Sequence, residues 1–281
     1  MFRTRFAPSP TYYLHLGHAL SALHVWRAAA EADGEVWLRI EDIDTTRCQP
    51  EYTEAIFRDL HWLGLTWDGP VRRQSEHFAA YEAALLNLAE GGAVYPCGCS
   101  RADIAAAASA PQEGQSKFGP DGRIYPGTCR HRSMAERAPR DALRLHLAKA
   151  AEALPETVRF DETGPTYAGS HDVTYARLAA EVGDPVLARP HMAASYHFSV
   201  VLDDAATGVS HIIRGEDLFP ATSLHRFLQA LLGLPVPVYH HHRLLRDAAG
   251  TRLATRDDAR AIRTSRADGA SPADIRALVG L

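Results

Sequence analysis

Residues 3–18, RTRFAPSPTYYLHLGH, predict a short strand, a loop broken at Pro8 and Pro10, and the start of a helix near His15 and His18. This order is typical of anion sites in α/β proteins, because the free N–H groups and the positive dipole end of the first helical turn point at the ligand. The loop is not glycine-rich, so it is neither a Walker loop nor a GxGxxG fingerprint. Imidazoles and helix amides would therefore have to hold a phosphate here.

A second strand, predicted at 35–40, follows a helix predicted at 16–32 whose end is marked by Asp33-Gly34. Strand, helix and strand at this spacing form a βαβ unit, which is parallel and right-handed by default. We therefore predict an α/β fold with a Rossmann-type parallel sheet that binds a nucleotide. Functional groups should gather where the strands end, at residues 8–10 and at residues 39–44, RIEDID.

The rest of the chain predicts further helices and strands around a loop-like insertion at 105–122. Apolar periodicity and capping residues predict helices at 50–63, 76–90, 221–232 and 271–279. Alternating or short apolar runs predict strands at 142–147, 158–160, 186–188, 199–202 and 236–240.

Composition indicates a soluble globular protein, because the 281 residues are 46% hydrophobic and 23% charged. No apolar run approaches the ~20 residues of a membrane-spanning helix, and no signal peptide precedes the first strand, so we expect a cytoplasmic location and no membrane partner. The net charge of −4 argues against a generic DNA binder. The arginines clustered between 243 and 266 are either a solvated face or a contact surface for RNA phosphate.

His15 and His18 lie three residues apart at a helix start and therefore share a face. They could be ordinary surface histidines, or two ligands of a metal, although this stretch supplies no third ligand. Their position after a broken strand and beside Gly17 favours contacts with nucleotide phosphate.

Arg5 and Arg214 are isolated arginines at predicted strand ends, and the fork of arginine suits bidentate recognition of a carboxylate. Either could instead form a structural salt bridge, with Glu41 or Asp217 as the partner. Together with Glu41, which could bind an ammonium group, the two arginines would match a ligand with two carboxylates and one amine. The sequence alone does not bring these side chains together.

Cys97-Gly98-Cys99 and Cys129 indicate a metal site, because clustered cysteines in a cytosolic chain suggest metal more than disulfides. Tetrahedral zinc needs a fourth ligand. Tyr125, His131 and Cys48 are candidates, and His131 is the ordinary choice on residue type alone. The alternative is a set of reduced, buried cysteines without a metal.

A turn at Gly250 leads into a basic segment at 251–256, TRLATR. This segment is either a mobile surface loop or a loop that closes over a polyphosphate. Taken alone, it does not decide between the two.

Taken together, these motifs resemble those of the class I aminoacyl-tRNA synthetases in their glutamyl form. RFAPSPT and HLGH, at 5–11 and 15–18, resemble the HIGH signature, and LRIEDIDTTR at 38–47 resembles the segment that follows it. Residues 195–218 resemble the amino-acid pocket and the strand beyond it, and RLATR at 252–256 stands where the KMSKS loop should be. The similarity covers nearly the whole chain in the right order, and it implies a Rossmann-type (HUP-like) catalytic domain.

Because the chain stops soon after the KMSKS-like loop, we expect no anticodon-binding domain. This truncated form, with YPCGCSR and YPGTCR in the insertion, is similar to the glutamyl-Q tRNA(Asp) synthetases. That resemblance implies activation of L-glutamate by ATP with Mg²⁺, without tRNA, and transfer to the queuosine base of tRNA-Asp. It also implies a monomer with a catalytic domain at 1–91 and 180–235, an inserted zinc-containing subdomain at 92–179 (zinc segment 92–132), and a short helical C-terminal region at 236–281.

The resemblance also assigns roles to individual residues. One structural zinc ion would be held by Cys97, Cys99, Tyr125 and Cys129, so that Tyr125 replaces His131. Glutamate would contact Arg5, Phe6, Ala7, Pro8, Ser9, Glu41, Tyr196 and Arg214. ATP would contact His15, Gly17, His18 and Thr255. The catalytic residues would be His15, His18, Arg252, Thr255 and Arg256.

Two positions depart from the family pattern. Tyr12 stands where the family usually has glycine, and it could narrow the ATP or glutamate site. Thr255 stands where the family has the second lysine of KMSKS, which predicts slow activation unless Arg252 or Arg256 compensates. Two alternatives therefore stay open: a repurposed paralogue that passes an aminoacyl adenylate to a non-tRNA acceptor, and a weakly active relic.

Overall fold

The computed structural model describes residues 1–107, 118–119, 122–246 and 261–281, and these form α-helices and β-strands in an alternating order. The helices are α1 (Leu16–Glu31), α2 (Pro50–Trp62), α3 (Phe78–Glu90), α4 (Arg101–Ala107), α5 (Leu147–Ala151), α6 (Tyr175–Glu181), α7 (Tyr196–Ala206), α8 (Phe219–Leu231), α9 (Ile262–Ala267) and α10 (Pro272–Val279). The strands are β1 (Arg3–Phe6), β2 (Glu35–Ile40), β3 (Asp68–Arg73), β4 (Val94–Cys97), β5 (Phe118–Gly119), β6 (Gly122–Arg123), β7 (Ala142–Leu145), β8 (Thr157–Glu162), β9 (Gly169–Thr174), β10 (Val186–Ala188), β11 (His211–Gly215) and β12 (Val238–His242).

Parallel strands carry the loops of the candidate site. β1 pairs with β2 in parallel, starting at Arg3 opposite Glu35, and β2 pairs with β3 in parallel. β11 pairs with β12 in parallel. β11 also lies beside β1, because Ser210 N donates to Arg3 O at 2.9 Å and Arg5 Nη1 donates to Ile213 O at 3.4 Å. The carboxyl ends of β1, β2 and β11 therefore meet at one edge, which is where ligands bind in such sheets.

Antiparallel strands follow α3. β4 pairs with β7, and β7 pairs with β10. β8 pairs antiparallel with β9 along its whole length and meets β12 in parallel at Glu162 opposite Tyr239. This last pairing joins the antiparallel part to the parallel sheet and brings Glu162 next to β12.

Two clusters of buried apolar side chains hold these layers together. One joins the first βαβ unit and α2 with α9 and α10, and it includes Leu20, Leu38, Ile56, Ile262 and Ile275. The other joins α3 and the antiparallel strands with α7 and α8. Residues 261–281 thus pack on the first βαβ unit. The domain boundaries that follow from the resemblance stay predictions.

The predicted α/β class and its parallel βαβ unit are confirmed. The strand predicted at 199–202 is wrong, because these residues lie inside α7, where Phe198, Val200 and Val201 are buried. A short apolar run does not distinguish a strand from a buried helix, and here tertiary packing favours the helix.

The loop predicted at 105–122 is wrong at its start, since 105–107 end α4, and most of its other residues lie outside the described ranges. Among the described helices, none is long and apolar enough to cross a membrane.

Candidate active site and metal site

A cavity of about 340 Å³ opens at the carboxyl ends of β1, β2 and β11. Its lining includes many of the residues that were predicted to bind a ligand: Arg5, Phe6, Ala7, Pro8, Ser9, His15, Gly17, His18, Glu41, Tyr196 and Arg214. The fold therefore brings together side chains that the sequence alone could not. Arg252, Thr255 and Arg256 lie outside the described residues, and the roles of all these residues stay predictions.

Four side chains of alternating charge run from Arg5 to Glu41. Arg5 Nε donates to Asp204 Oδ1 at 3.0 Å, and Arg39 Nη1 donates to the same oxygen at 2.5 Å. Arg39 Nη2 donates to Glu41 Oε1 at 2.9 Å. The salt bridge considered for Arg5 thus exists, but with Asp204. Each charge has an opposite neighbour, which offsets the cost of burying it.

The pKa values of the two carboxyl groups in this row of charged side chains, Glu41 and Asp204, shift in opposite directions. Burial raises the pKa of Glu41, although Arg39 opposes this. Burial would also raise the pKa of Asp204, but the guanidinium groups of Arg39 and Arg5 lower it. Asp204 is therefore a fixed negative charge, whereas Glu41 would gain from a cationic ligand that favours its ionised form.

Arg214 is buried, with 5% of its surface exposed, and within the described ranges no carboxylate lies at salt-bridge distance from it. Its Nε donates to His241 Nε2 at 3.0 Å and its Nη1 to His225 Nδ1 at 3.2 Å. Its Nη2 donates to Thr222 Oγ1 at 2.8 Å and to Leu218 O at 3.2 Å. All four acceptors are uncharged, and a buried guanidinium with only uncharged acceptors is costly. Arg214 therefore marks a place where a ligand carboxylate would be stabilised.

The two histidines around Arg214 have to be neutral, because each accepts a hydrogen bond from it. His241 then carries its proton on Nδ1 and donates to Glu162 Oε2 at 2.5 Å. His225 carries its proton on Nε2 and donates to His197 Nδ1 at 2.9 Å. Burial lowers the pKa of His241 and, with Arg214 nearby, that of His225. Neither Glu162 nor His241 was predicted; the run His240-His241-His242 was the available signal.

The lowered histidine pKa values predict a loss of stability in acid. Below the ordinary histidine pKa of 6.5, the unfolded chain binds protons that the folded chain excludes, so the free energy of unfolding falls as the pH falls. His225 contributes to this loss, because burial and the charge of Arg214 hold its pKa well below the ordinary value. Urea denaturation between pH 7.5 and about 5 measures it. His225→Asn should flatten the pH profile, and an equally steep profile in this variant would contradict the assignment.

His15 and His18 cap α1 together. His15 is the N-cap residue with an extended backbone, and its Nδ1 accepts from Gly17 N at 3.0 Å. His15 N donates to His18 Nδ1 at 3.2 Å, which completes a capping box usually built from hydroxyl and carboxyl side chains. Because both Nδ1 atoms accept, the neutral rings carry their protons on Nε2. These N–H groups, at the positive end of a helix, suit phosphate oxygens.

Tyr12 does not belong to the cavity lining. Its side chain is 62% exposed, and its ring centre lies 6.2 Å from that of Tyr52 on α2. The expectation that Tyr12 could narrow the ATP or glutamate site is therefore not met. The loop turns this bulky side chain outward.

Cys97, Cys99 and Cys129 converge on one point, with their three sulfur atoms within 4.8 Å of one another. Cys99 Sγ lies 3.5 Å from Cys129 Sγ, and Tyr125 Oη lies 3.3 Å from Cys97 Sγ and 3.6 Å from Cys99 Sγ. Tetrahedral zinc at ordinary bond lengths requires about 3.8 Å between sulfurs and about 3.5 Å between sulfur and oxygen. Three thiolates and Tyr125 thus fit a structural zinc ion. His131, the choice from residue type alone, is exposed and is not part of this group.

Removing a ligand should release the metal. We expect Cys97→Ser and Tyr125→Phe to lose most of about one zinc per chain, because each removes one corner of the tetrahedron. Metal analysis of the purified variants measures the loss. His131→Ala and Cys48→Ser are matched controls that should keep their zinc, and full retention in Cys97→Ser would contradict the site.

Comparisons with known proteins agree with this geometry. The family described as tRNA synthetases class I (E and Q), catalytic domain, matches residues 1–279. A Rhodobacter capsulatus protein named glutamyl-Q tRNA(Asp) synthetase is 56% identical over 281 residues, which is 99% of either chain. A Nocardia farcinica protein of the same name is 40% identical over 98% of this chain and 82% of its own length.

The fold of this chain is also similar to that of a solved structure. A glutamate tRNA ligase from Elizabethkingia meningosepticum, in complex with its amino acid, has a TM-score of 0.68 and 25% identity over 91% of this chain. This chain spans about half of that ligase, 52% of its length. The full-length family match, the parallel sheet and the histidine-capped first helix lead to one conclusion: the chain belongs to the class I tRNA synthetases (E and Q), which are ligases.

Proposed function

We propose that this protein activates L-glutamate with ATP and transfers it to the queuosine base of tRNA-Asp. The observation that carries the glutamate assignment is Arg214, a buried cation that lacks a carboxylate partner among the described residues and shares a cavity with Arg5 and Glu41. Glutamate supplies the two carboxylates and the ammonium group that these three side chains would bind. The Rhodobacter and Nocardia relatives are named glutamyl-Q tRNA(Asp) synthetases, and these names support the queuosine base of tRNA-Asp as the acceptor.

Each proposed contact with glutamate can be assigned to particular atoms of Arg214, Arg5 and Glu41. Arg214 would bind one carboxylate while its four uncharged acceptors hold its guanidinium group in place. Arg5 Nε already donates to Asp204, so Arg5 would contact the second carboxylate through its terminal nitrogens. Arg39 holds the carboxylate of Glu41 at the cavity wall, where it would accept from the ammonium group. We place Phe6, Ala7, Pro8, Ser9 and Tyr196 around the same ligand.

Activation then requires an in-line attack of the α-carboxylate on the α-phosphorus of ATP, with pyrophosphate as the leaving group. His15 and His18 would donate from Nε2 to the phosphate oxygens, and the amide ends of α1 add positive potential. Catalysis is therefore mainly positioning and electrostatics. We assign Arg252, Thr255 and Arg256 to the departing pyrophosphate. A queuosine hydroxyl would next attack the mixed anhydride and release AMP.

Class I synthetases use ATP with Mg²⁺. Among the described residues, no group of three or more histidine, cysteine or acidic ligands lies in this cavity. The phosphates of ATP would thus supply most of the Mg²⁺ ligands, as is usual for this ion. The ion would supply charge neutralisation on the polyphosphate.

The acceptor is tested by charging three RNAs with labelled glutamate. We expect acylation of queuosine-containing tRNA-Asp, and none of tRNA-Asp that lacks queuosine or of tRNA-Glu. Acylation of tRNA-Glu would overturn the acceptor assignment. Activation of glutamate without acylation of any of the three would favour the repurposed paralogue.

A further inference from the structure

A second cavity, of about 600 Å³, lies between the cysteine cluster and the catalytic cavity. Tyr125, which contacts the cysteines, lines it, and Tyr196 lines both this cavity and the catalytic one. Its volume falls within the range of about 300–1,000 Å³ that is usual for ligand sites. A ligand in it would therefore lie next to an amino acid activated in the catalytic cavity.

The charges of this second cavity are strongly one-sided. Its lining includes four arginines: Arg101, Arg123, Arg144 and Arg189. Over the described ranges, none of them has a carboxylate at salt-bridge distance. Among the described residues, Asp184 is the one acid in the lining. It is buried and already has partners, because Tyr95 Oη donates to its Oδ2 at 2.6 Å, Leu147 N donates to its Oδ1 at 3.1 Å and Arg130 pairs with it. The cavity is thus positive in a chain whose net charge is −4.

Arg144 is the buried anchor of this group, with 8% of its surface exposed. Its Nη1 donates to Asp184 O at 2.7 Å, and its Cζ lies 3.8 Å from the ring centre of Tyr125. Its Nε is buried and has no hydrogen-bond partner among the described residues. Burial, together with the charges of Arg144 and Arg101, lowers the pKa of Arg189. Three guanidinium groups that repel one another around an open space would be stabilised by an anion.

We propose that this arginine-lined cavity binds a backbone phosphate of the acceptor RNA, next to the nucleoside that is acylated. The inference rests on the proposed function for the identity of the RNA. Arginine contacts to phosphate position an RNA without reading its sequence. Ile104, Val186 and Met192 give the same cavity an apolar wall, which suits a sugar or a base better than a small free anion. Tyr196 then separates the bound nucleotide from the glutamate.

A double variant, Arg101→Gln with Arg189→Gln, tests the cavity without touching the buried Arg144. Arg58→Gln is the matched control, because Arg58 is exposed on α2 and lines neither cavity. The probe is a fluorescent anticodon stem–loop of tRNA-Asp that contains queuosine, titrated at several salt concentrations. We expect Kd to rise about tenfold and the slope of log Kd against log salt to fall by about 1 to 2, with Arg58→Gln near wild type.

Two further readouts make the result decisive. Glutamate-dependent pyrophosphate exchange should be unchanged in the double variant, because these arginines do not line the catalytic cavity. Zinc content should also be unchanged; loss of zinc with an unaltered Kd would assign the arginines to the thiolate cluster and overturn the proposal. An unaltered Kd and salt slope with zinc retained would overturn it too. If the double variant weakens RNA binding but wild-type protein acylates no tRNA, the phosphate site stands and the proposed function fails.

Discussion

Replacing Glu162 with glutamine is expected to raise KM for glutamate about 100-fold, although Glu162 does not line the catalytic cavity. The carboxylate of Glu162 accepts the Nδ1 proton of His241, and this leaves Nε2 free to accept from Arg214. A glutamine would present N–H donors to Nδ1 and so favour the other tautomer, in which His241 Nε2–H faces the Arg214 donor. Arg214 would then lose its position. In a catalytic triad, a comparable reversal of the tautomer costs about 10⁴-fold in rate.

Steady-state pyrophosphate exchange at varied glutamate and varied ATP measures this effect. KM for ATP should change little, because the change acts through Arg214 alone. Asp161→Asn, on the exposed side of the same strand, is the matched control and should behave like wild type. A folded Glu162→Gln protein with an unchanged KM for glutamate would show that Arg214 does not depend on this tautomer.

His15→Asn is expected to slow glutamate activation by about 10²–10³-fold while leaving the fold intact, since one preorganised donor to the phosphates is worth this much. Asparagine is a good N-cap residue, so its amide oxygen can accept from Gly17 N in place of His15 Nδ1. It has no group at the position of Nε2. The variant therefore separates the capping role of His15 from its role at the phosphates.

His15→Ala completes this comparison because alanine removes both roles. It should be as slow as His15→Asn, and it should also lose about 1 kcal/mol of stability to denaturation. Single-turnover adenylate formation and urea denaturation measure the two quantities. If His15→Asn were fully active, the imidazole would be a cap only; if both variants were equally destabilised, the capping argument would be wrong.

Local sequence patterns correctly predicted those elements whose defining contacts are made between residues close together in the sequence. The first βαβ unit follows from apolar periodicity and from the Asp33-Gly34 break, and α10 follows from Ser271-Pro272 at its start. The histidine pair at the start of α1 was recognisable for the same reason. Its two Nδ1 atoms bond within three residues of each other.

Partners that are distant in sequence could not be predicted in this way. Asp204 meets Arg5 across 199 residues, and Glu162 meets His241 across 79. Asp204 was moreover placed after a strand, whereas it lies within α7, on a buried face that only packing against α3 and α8 defines. The choice between Tyr125 and His131 likewise depended on which side chain the fold turns towards the cysteines. Residue type favoured histidine, and the resemblance to a known family favoured tyrosine.

Pyrophosphate exchange across the twenty amino acids, measured in the absence of tRNA, shows whether the catalytic cavity binds and activates glutamate. We expect exchange with L-glutamate alone, because Arg214, which has no carboxylate partner among the described residues, shares the cavity with Arg5 and Glu41. Glutamate carries the two carboxylates and the one ammonium group that these three side chains would bind. Glutamine lacks the charge of the second carboxylate. Exchange that requires tRNA, or that proceeds with another amino acid and not with glutamate, would show that this cavity does not activate glutamate in the way proposed.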